Sequence, residues 1–337
     1  MTNKKRICIL GAGAWGTALS IAMLKTGHHV SLLPRRAEQA EEIQRTRENA
    51  KYLKDISISP EIQVSSEFES LKNADIVLWV IPTQHSGEIA QKLKACLLSH
   101  VPIVICSKGI DAHSEIIDEN SLLSAVIGKE LPNPLAVLSG PNFAIEIAQG
   151  LPAAATLAAS VPEFAFSLIE TLRNPFYRIY ASDDPIGVQV AGAIKNVIAI
   201  ASGIVIGKNL GNNANAALIT RGLAEMRRLG LALGGKLETF LGLAAVGDLT
   251  LTCSSPQSRN MSLGIALGTG RKLEDILKHS HTVAEGLYTA EAVHKLSTLK
   301  SISMPICEAV YKILYHNEKV DDVIRSLLAR QTTWEES

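Results

Sequence analysis

Apolar and polar residues follow two rhythms along the chain, and the change falls near residue 185. Before it, short runs rich in valine, isoleucine and leucine recur at 6–10, 29–33, 62–64, 75–81, 102–106 and 135–138. Runs of this length, rich in β-branched residues and bounded by turn residues, read as strands. Between them, 17–25, 86–98 and 115–126 carry apolar residues at helical spacing, and the charged stretch 37–54 reads as mostly helical, a surface helix and loop. Residues 153–158 and 178–181 read as two late strands. Strands alternating with helices predict a doubly wound, largely parallel sheet, whose ligands sit beyond the carboxyl ends of the strands.

After residue 185 the pattern becomes helical throughout. Residues 186–206, IGVQVAGAIKNVIAIASGIVI, are apolar apart from Gln189, Lys195, Asn196 and a few hydroxyl or glycine positions. The run is longer than an ordinary strand and holds no proline, so it predicts a buried helix of about five turns. As a bilayer span it is short, and a central lysine would cost about 2.5–3.5 kcal/mol even on a lenient insertion scale. It reads instead as the core helix of a second domain. Residues 215–229 and 311–328 also show helical spacing, the latter as one amphipathic helix.

Length and charge narrow the classes. A chain of 337 residues is long enough for two cores. With 33 basic and 33 acidic side chains, the overall balance calls for neither nucleic acid nor an anionic membrane, so an anionic partner must be met locally. Five cysteines, scattered and without a CxxC pair, fit a reducing cytoplasm and no zinc site. The apolar part of the N-terminus is too short for a secretory segment and reads as a strand.

The candidate chemistry lies at two places. The first strand runs into Gly11-Ala12-Gly13-Ala14-Trp15-Gly16 and then a helix. In that context the first glycine permits the turn, the second admits a pyrophosphate, and the third lets helix and strand pack. At the end of the second strand, where an acid would prefer NAD, the chain has Pro34-Arg35-Arg36. Two guanidiniums suit a 2′-phosphate, so NADPH is expected over NADH, with NADH possible. The second place is Lys195. A buried ammonium needs a carboxylate, an anion, or loss of its proton. Asp248, on the Gly247-Asp248 turn, is the kind of partner it needs. Lys108, directly after an apolar strand, reads either as a crevice cation or as a solvated loop residue. Ser258-Arg259-Asn260 open a helix and read either as a cap or as a phosphate site.

These pieces together resemble the bacterial NAD(P)-dependent glycerol-3-phosphate dehydrogenase family. The resemblance rests on GAGAWGTALS from Gly11, SKG from Ser107, SGPNFAIEIAQGLPAA from Ser139, GAIKNVIAIASG from Gly192, NANAALITRGLAEMRRLG from Asn213, GDLTLTC from Gly247, SRN from Ser258 and VAEG from Val283. It implies an α/β fold: an N-terminal doubly wound Rossmann domain, residues 1–185, followed by an all-α helical C-terminal domain, residues 186–337. It implies Lys195 as proton donor and acceptor beside Asp248, and a substrate shell of Lys108, Gly140, Asn142, Ser258, Arg259 and Asn260. It implies cofactor contacts at Ala14, Trp15, Arg35, Lys108, Ala144, Arg259, Val283 and Glu285, to which Arg36 and the three glycines are added from the residues themselves. Ala14 offers the cofactor only its backbone amide. A phosphorylated small-molecule substrate, a cytoplasmic homodimer, no nucleic acid, no integral membrane segment, no metal, and a place in phospholipid synthesis complete what it implies. Two other readings stand beside it: a related 3-hydroxyacid or ketopantoate-type reductase, and a non-catalytic NADPH-binding sensor.

Overall fold

The structure is a computed structural model that describes residues 4–113, 117–278, 284–331 and 334. It forms two compact units. One comprises Met1–Ser107 with Leu123–Pro185, the other Lys108–Leu122 with Ile186–Ser337.

The first unit is a sheet with flanking helices. In chain order its elements are β1 (Arg6–Leu10), α1 (Ala14–Leu24), β2 (His29–Leu33), α2 (Ala37–Thr46), β3 (Glu48–Asn49), β4 (Leu53–Ser57), β5 (Gln63–Val64), β6 (Ile76–Trp79), α3 (Ser86–Leu93), β7 (Ile103–Ile105), α4 (Leu123–Glu130), β8 (Leu135–Ser139), α5 (Ala144–Gln149), β9 (Ala153–Ala158), α6 (Pro162–Leu172) and β10 (Tyr177–Ser182). Eight strands make one sheet in the order β10-β9-β8-β7-β6-β1-β2-β5. Every pairing is parallel except β8 with β9. The inner strands β1, β6 and β7 are apolar and buried along nearly their whole length, as a parallel sheet covered on both faces requires.

The second unit is helical: α7 (Pro185–Gly207), α8 (Asn212–Ala232), α9 (Asp248–Ser254), α10 (Arg259–Gly268), α11 (Leu273–Lys278), α12 (Glu285–Leu299), α13 (Pro305–Tyr315) and α14 (Val320–Leu328). Its core surrounds α7, which is long and apolar enough to cross a membrane, yet 89% of its most apolar window is buried inside the protein. Helices α7 and α10 touch through their backbones. A methyl at Gly264 would lie 2.0 Å from the Ile200 carbonyl oxygen, and one at Gly203 would lie 2.1 Å from that of Met261. Residues 108–122, which a boundary at 185 leaves in the first domain, pack with the second unit. Ile110, Ala112, Ile117 and Leu122 join the α7 core, and Ile110 bridges to Leu122.

The stretch 37–54 holds the expected surface helix and loop: α2 ends at Thr46, where Arg47 turns left-handed at φ 55° and the chain reverses into the β3–β4 hairpin. Three expected helices differ. The one at 86–98 stops at Leu93, as α3. Residues 114–116 lie outside the described residues; of the helix expected at 115–126, Glu119–Ser121 form a 3-10 turn and the α-helix begins at Leu123, directly after Leu122 bridges to Ile110. The single helix expected at 311–328 is two, α13 and α14. Asn317 takes φ 53°, a left-handed stop that asparagine tolerates better than most residues.

Candidate active site

In the sheet unit, the β1–α1 turn shows what each glycine does. Gly11 has φ 113°, and a methyl there would sit 2.6 Å from the Val80 oxygen; one at Gly16 would sit 1.8 Å from the Gly11 oxygen. The protein's own packing therefore demands both. At Gly13 a methyl would meet nothing within 4 Å. Among the described residues nothing beyond its chain neighbours comes that near Gly13, and the first turn of α1, beginning with half-buried Ala14 and Trp15, supplies amides without intrahelical acceptors. This arrangement accepts an anionic group such as a pyrophosphate. Arg35 and Arg36 follow β2 directly, both exposed, with Arg36 at the start of α2.

Other polar groups stand at or just past the carboxyl ends of β6 and β8. Both amide atoms of Asn142 are buried without a hydrogen-bond partner among the described residues, as are the hydroxyls of Thr83 and Ser139. Leaving such a group unpaired costs roughly 1–3 kcal/mol, so these are groups ready to bond a ligand. Gly140 is required by its neighbour, since a methyl there would lie 2.8 Å from the Ala155 Cα. Ala144 begins α5. The residues present fit a dinucleotide; Thr83 and Ser139 stand at the carboxyl edge of the strands, where the alternating pattern already places ligands, but nothing in the sequence marks their hydroxyls individually.

In the helical unit, Lys195 extends from the middle of α7 and donates to Asp248 Oδ1 at 2.7 Å and to Thr252 Oγ1 at 2.9 Å. Lys108 donates to the other oxygen, Asp248 Oδ2, at 2.6 Å. One carboxylate, 1% exposed, thus faces two ammonium groups whose side chains are 9% and 18% exposed. A π-helical turn, Leu243–Gly247, leads into α9 and sets Asp248 at its first position. Thr252, one turn on, donates its hydroxyl proton to the Asp248 carbonyl at 2.6 Å, which leaves its lone pair for Lys195. Burial lowers the Lys195 pKa from its ordinary value to about 8; Asp248 opposes that and Lys108 adds to it. Thr252 was not singled out from the sequence, where its hydroxyl gave no sign that it would face a lysine.

A carboxamide relay lies in the same unit. Asn260 Nδ2 donates to Asn196 Oδ1 at 2.9 Å, and the Gly286 amide donates to Asn260 Oδ1 at 3.0 Å. These bonds fix the orientation of both side chains. Ser258 is buried and accepts from the Met261 amide at 3.3 Å, so it caps α10, while its own proton remains to be donated elsewhere. Arg259 is the exposed first residue of α10, and Glu285 begins α12. Val283, and with it His279 and His281, lies outside the described residues.

Residues 6–165 match the family model described as the NAD-dependent glycerol-3-phosphate dehydrogenase N-terminus, and 184–325 match the one described as its C-terminus. The chain belongs to the NAD-dependent glycerol-3-phosphate dehydrogenase family. It is 45% identical over 99% of its length to the glycerol-3-phosphate dehydrogenase [NAD(P)+] of Maricaulis maris, covering 99% of that protein. It is also similar to the solved glycerol-3-phosphate dehydrogenase of Coxiella burnetii, with a TM-score of 0.92, 38% identity, and 97% and 99% of the two chains covered. A solved ketopantoate reductase from Ralstonia eutropha, 15% identical with a TM-score of 0.60 over 95% and 99% of the two chains, shares the fold alone. Membership of the glycerol-3-phosphate dehydrogenase family thus favours that reading over the ketopantoate-type alternative.

Proposed function

We propose that this member of the family interconverts dihydroxyacetone phosphate and sn-glycerol 3-phosphate, with Lys195 as the group that gives and takes the proton. The observation that carries the reading is the buried Lys195 ammonium held against Asp248, with Lys108 on the same carboxylate. A nicotinamide dinucleotide, when bound, would supply the hydride to the carbonyl carbon in one direction and accept it in the other. As negative charge grows on the carbonyl oxygen, the Lys195 ammonium stabilises it and transfers its proton, leaving a neutral amine. In the oxidation the amine takes the proton back from the hydroxyl. Asp248 orients Lys195 and keeps it basic enough to be refilled; Lys108 and burial keep it acidic enough to give the proton up.

Two cations sharing one carboxylate leave a net positive charge when both are protonated, which favours an anionic substrate. By the resemblance, the substrate shell is Lys108, Gly140, Asn142, Ser258, Arg259 and Asn260. A fork-shaped guanidinium such as Arg259 suits a phosphate, and binding energy spent there positions the reacting carbon. The same resemblance assigns the dinucleotide to Ala14, Trp15, Arg35, Lys108, Ala144, Arg259, Val283 and Glu285, and the residues themselves add Gly11, Gly13, Gly16 and Arg36. Preference for NADPH is supported by the exposed Arg35 and Arg36 and by the absence of an acid at the end of β2. A homodimer, a cytoplasmic location and supply of glycerol phosphate to phospholipid synthesis follow from the resemblance.

The test is the loss of nicotinamide absorbance when NADPH or NADH is mixed with dihydroxyacetone phosphate. Turnover is expected with the phosphorylated ketone and not with dihydroxyacetone. Turnover of a 2-keto acid in its place would reject the substrate assignment, and cofactor binding without turnover of any ketone would reject the chemistry.

A further inference from the structure

The stretch after α2 had no motif in the sequence, yet it delivers a buried carboxamide to the glycine turn. Arg47, left-handed at φ 55°, reverses the chain so that Asn49 on β3 points inward, where it is 4% exposed. Asn49 Nδ2 donates to the Ala12 carbonyl at 3.0 Å and to Thr17 Oγ1 at 2.8 Å. Gln39, on α2, donates to the same Ala12 carbonyl at 2.9 Å and reaches Asn49 Oδ1 at 3.4 Å.

We propose that Asn49, assisted by Gln39, is a positioning residue for dinucleotide binding, acting by clamping the Ala12–Gly13 peptide. This deepens the reading above and rests on its assignment of the glycine turn to a pyrophosphate. The carbonyl of Ala12 and the N–H of Gly13 belong to one planar trans peptide, so fixing the oxygen from behind fixes the direction of the N–H in front. That N–H belongs to Gly13, the glycine of the turn at which an added methyl would meet nothing within 4 Å. Asn49 also holds Thr17, whose own amide bonds to the Gly13 carbonyl at 3.0 Å, so turn and first helical turn are tied at one point. Gln39 stands three residues past Arg36, so the helix that starts at the arginine pair is pinned to the same carbonyl. A turn held in this way does not have to be ordered when the cofactor arrives, and that preorganisation appears as affinity.

The experiment compares Asn49→Leu, Gln39→Leu and Gly13→Val in the full chain. It reads the Kd for NADPH and for NADH by titration, the KM for dihydroxyacetone phosphate at saturating NADPH, and the cofactor-free Tm. Asn49→Leu is expected to raise the Kd of both cofactors by about tenfold, the ratio that one lost hydrogen bond of ordinary net strength represents. Gln39→Leu is expected to raise both in the same proportion to each other and by less, with the KM for the ketone unchanged in each. A fall in Tm with unchanged Kd in Asn49→Leu and Gln39→Leu would overturn the proposal, since the carboxamides would then serve the fold alone. If Asn49→Leu does not fold, the half-buried Gln39 decides by the same criterion. Gly13→Val separates the two levels of inference: its open space admits the side chain, so an unchanged Kd there rejects the pyrophosphate turn itself and the proposal with it. A weakened Gly13→Val beside unchanged carboxamide variants rejects only the positioning role.

Discussion

At the scale of single residues the central fact is that Asp248 serves two lysines while almost wholly excluded from water. Lys195, with a pKa of about 8, is poised to exchange a proton near neutral pH. The rate of ketone reduction, which needs the ammonium, should fall as pH rises through about 8, while oxidation, which needs the amine, should rise through the same range; rates measured in both directions from pH 6 to 10 check this. The stability consequence has the opposite cause. Because the folded pKa lies below that of an unfolded lysine, the unfolded chain binds more protons between the two values. The contribution of Lys195 therefore makes the fold more stable as pH rises from about 8 towards 10.5. Lys195→Met should retain cofactor binding and lose turnover by roughly 10²–10⁴-fold, the usual worth of a positioned acid or base. Arg35→Asp should weaken NADPH more than NADH, read as the ratio of the two Kd values, because a carboxylate there repels a 2′-phosphate.

At the scale of elements, two contacts set how the helical unit is built. A methyl at Gly264 would sit 2.0 Å from the Ile200 oxygen, a backbone atom of the buried α7 that cannot swing aside as a side chain could. Gly264→Ala should therefore destabilise the fold by about 1–3 kcal/mol, as overpacking does, and urea denaturation would show it as a lower midpoint at unchanged slope. On α8, Glu225 accepts from the amides of Ile306 at 2.6 Å and Cys307 at 3.1 Å, capping the N-terminus of α13 from across the core. Burial raises its pKa, and the two amides oppose that. Sequence patterning gave Glu225 no more than the role of an ordinary helix residue, because its partners are 81 and 82 positions away. The two helices that replaced a single one at 311–328 show the other limit of patterning. The apolar spacing continues across the break, and only the left-handed Asn317 interrupts it.

For the whole molecule, the balanced charge of 33 against 33 left any anion to be met locally, and Lys108 with Lys195 on one carboxylate concentrates positive charge at one point. The proposed homodimer has a direct check in light scattering, where about twice the chain mass of 36.2 kDa is expected and a monomer mass would withdraw it. The sequence by itself determined the alternation of strands and helices, the glycine turn, and a lone ammonium in an apolar helix. These are local consequences of side-chain period, backbone sterics and the cost of burying charge, so they are written in neighbouring residues. Family membership was legible for the same reason, in contiguous motifs from Gly11 to Glu285. Only the tertiary structure decided that Lys108 shares Asp248 with Lys195, that 108–122 pack with the helical unit, that Thr252 turns its lone pair to the lysine, and that Asn49 grips the turn at Ala12. Each of these joins residues from separate parts of the chain or selects one side-chain direction among several. Their energies depend on distances of a few ångströms that no spacing along the sequence encodes.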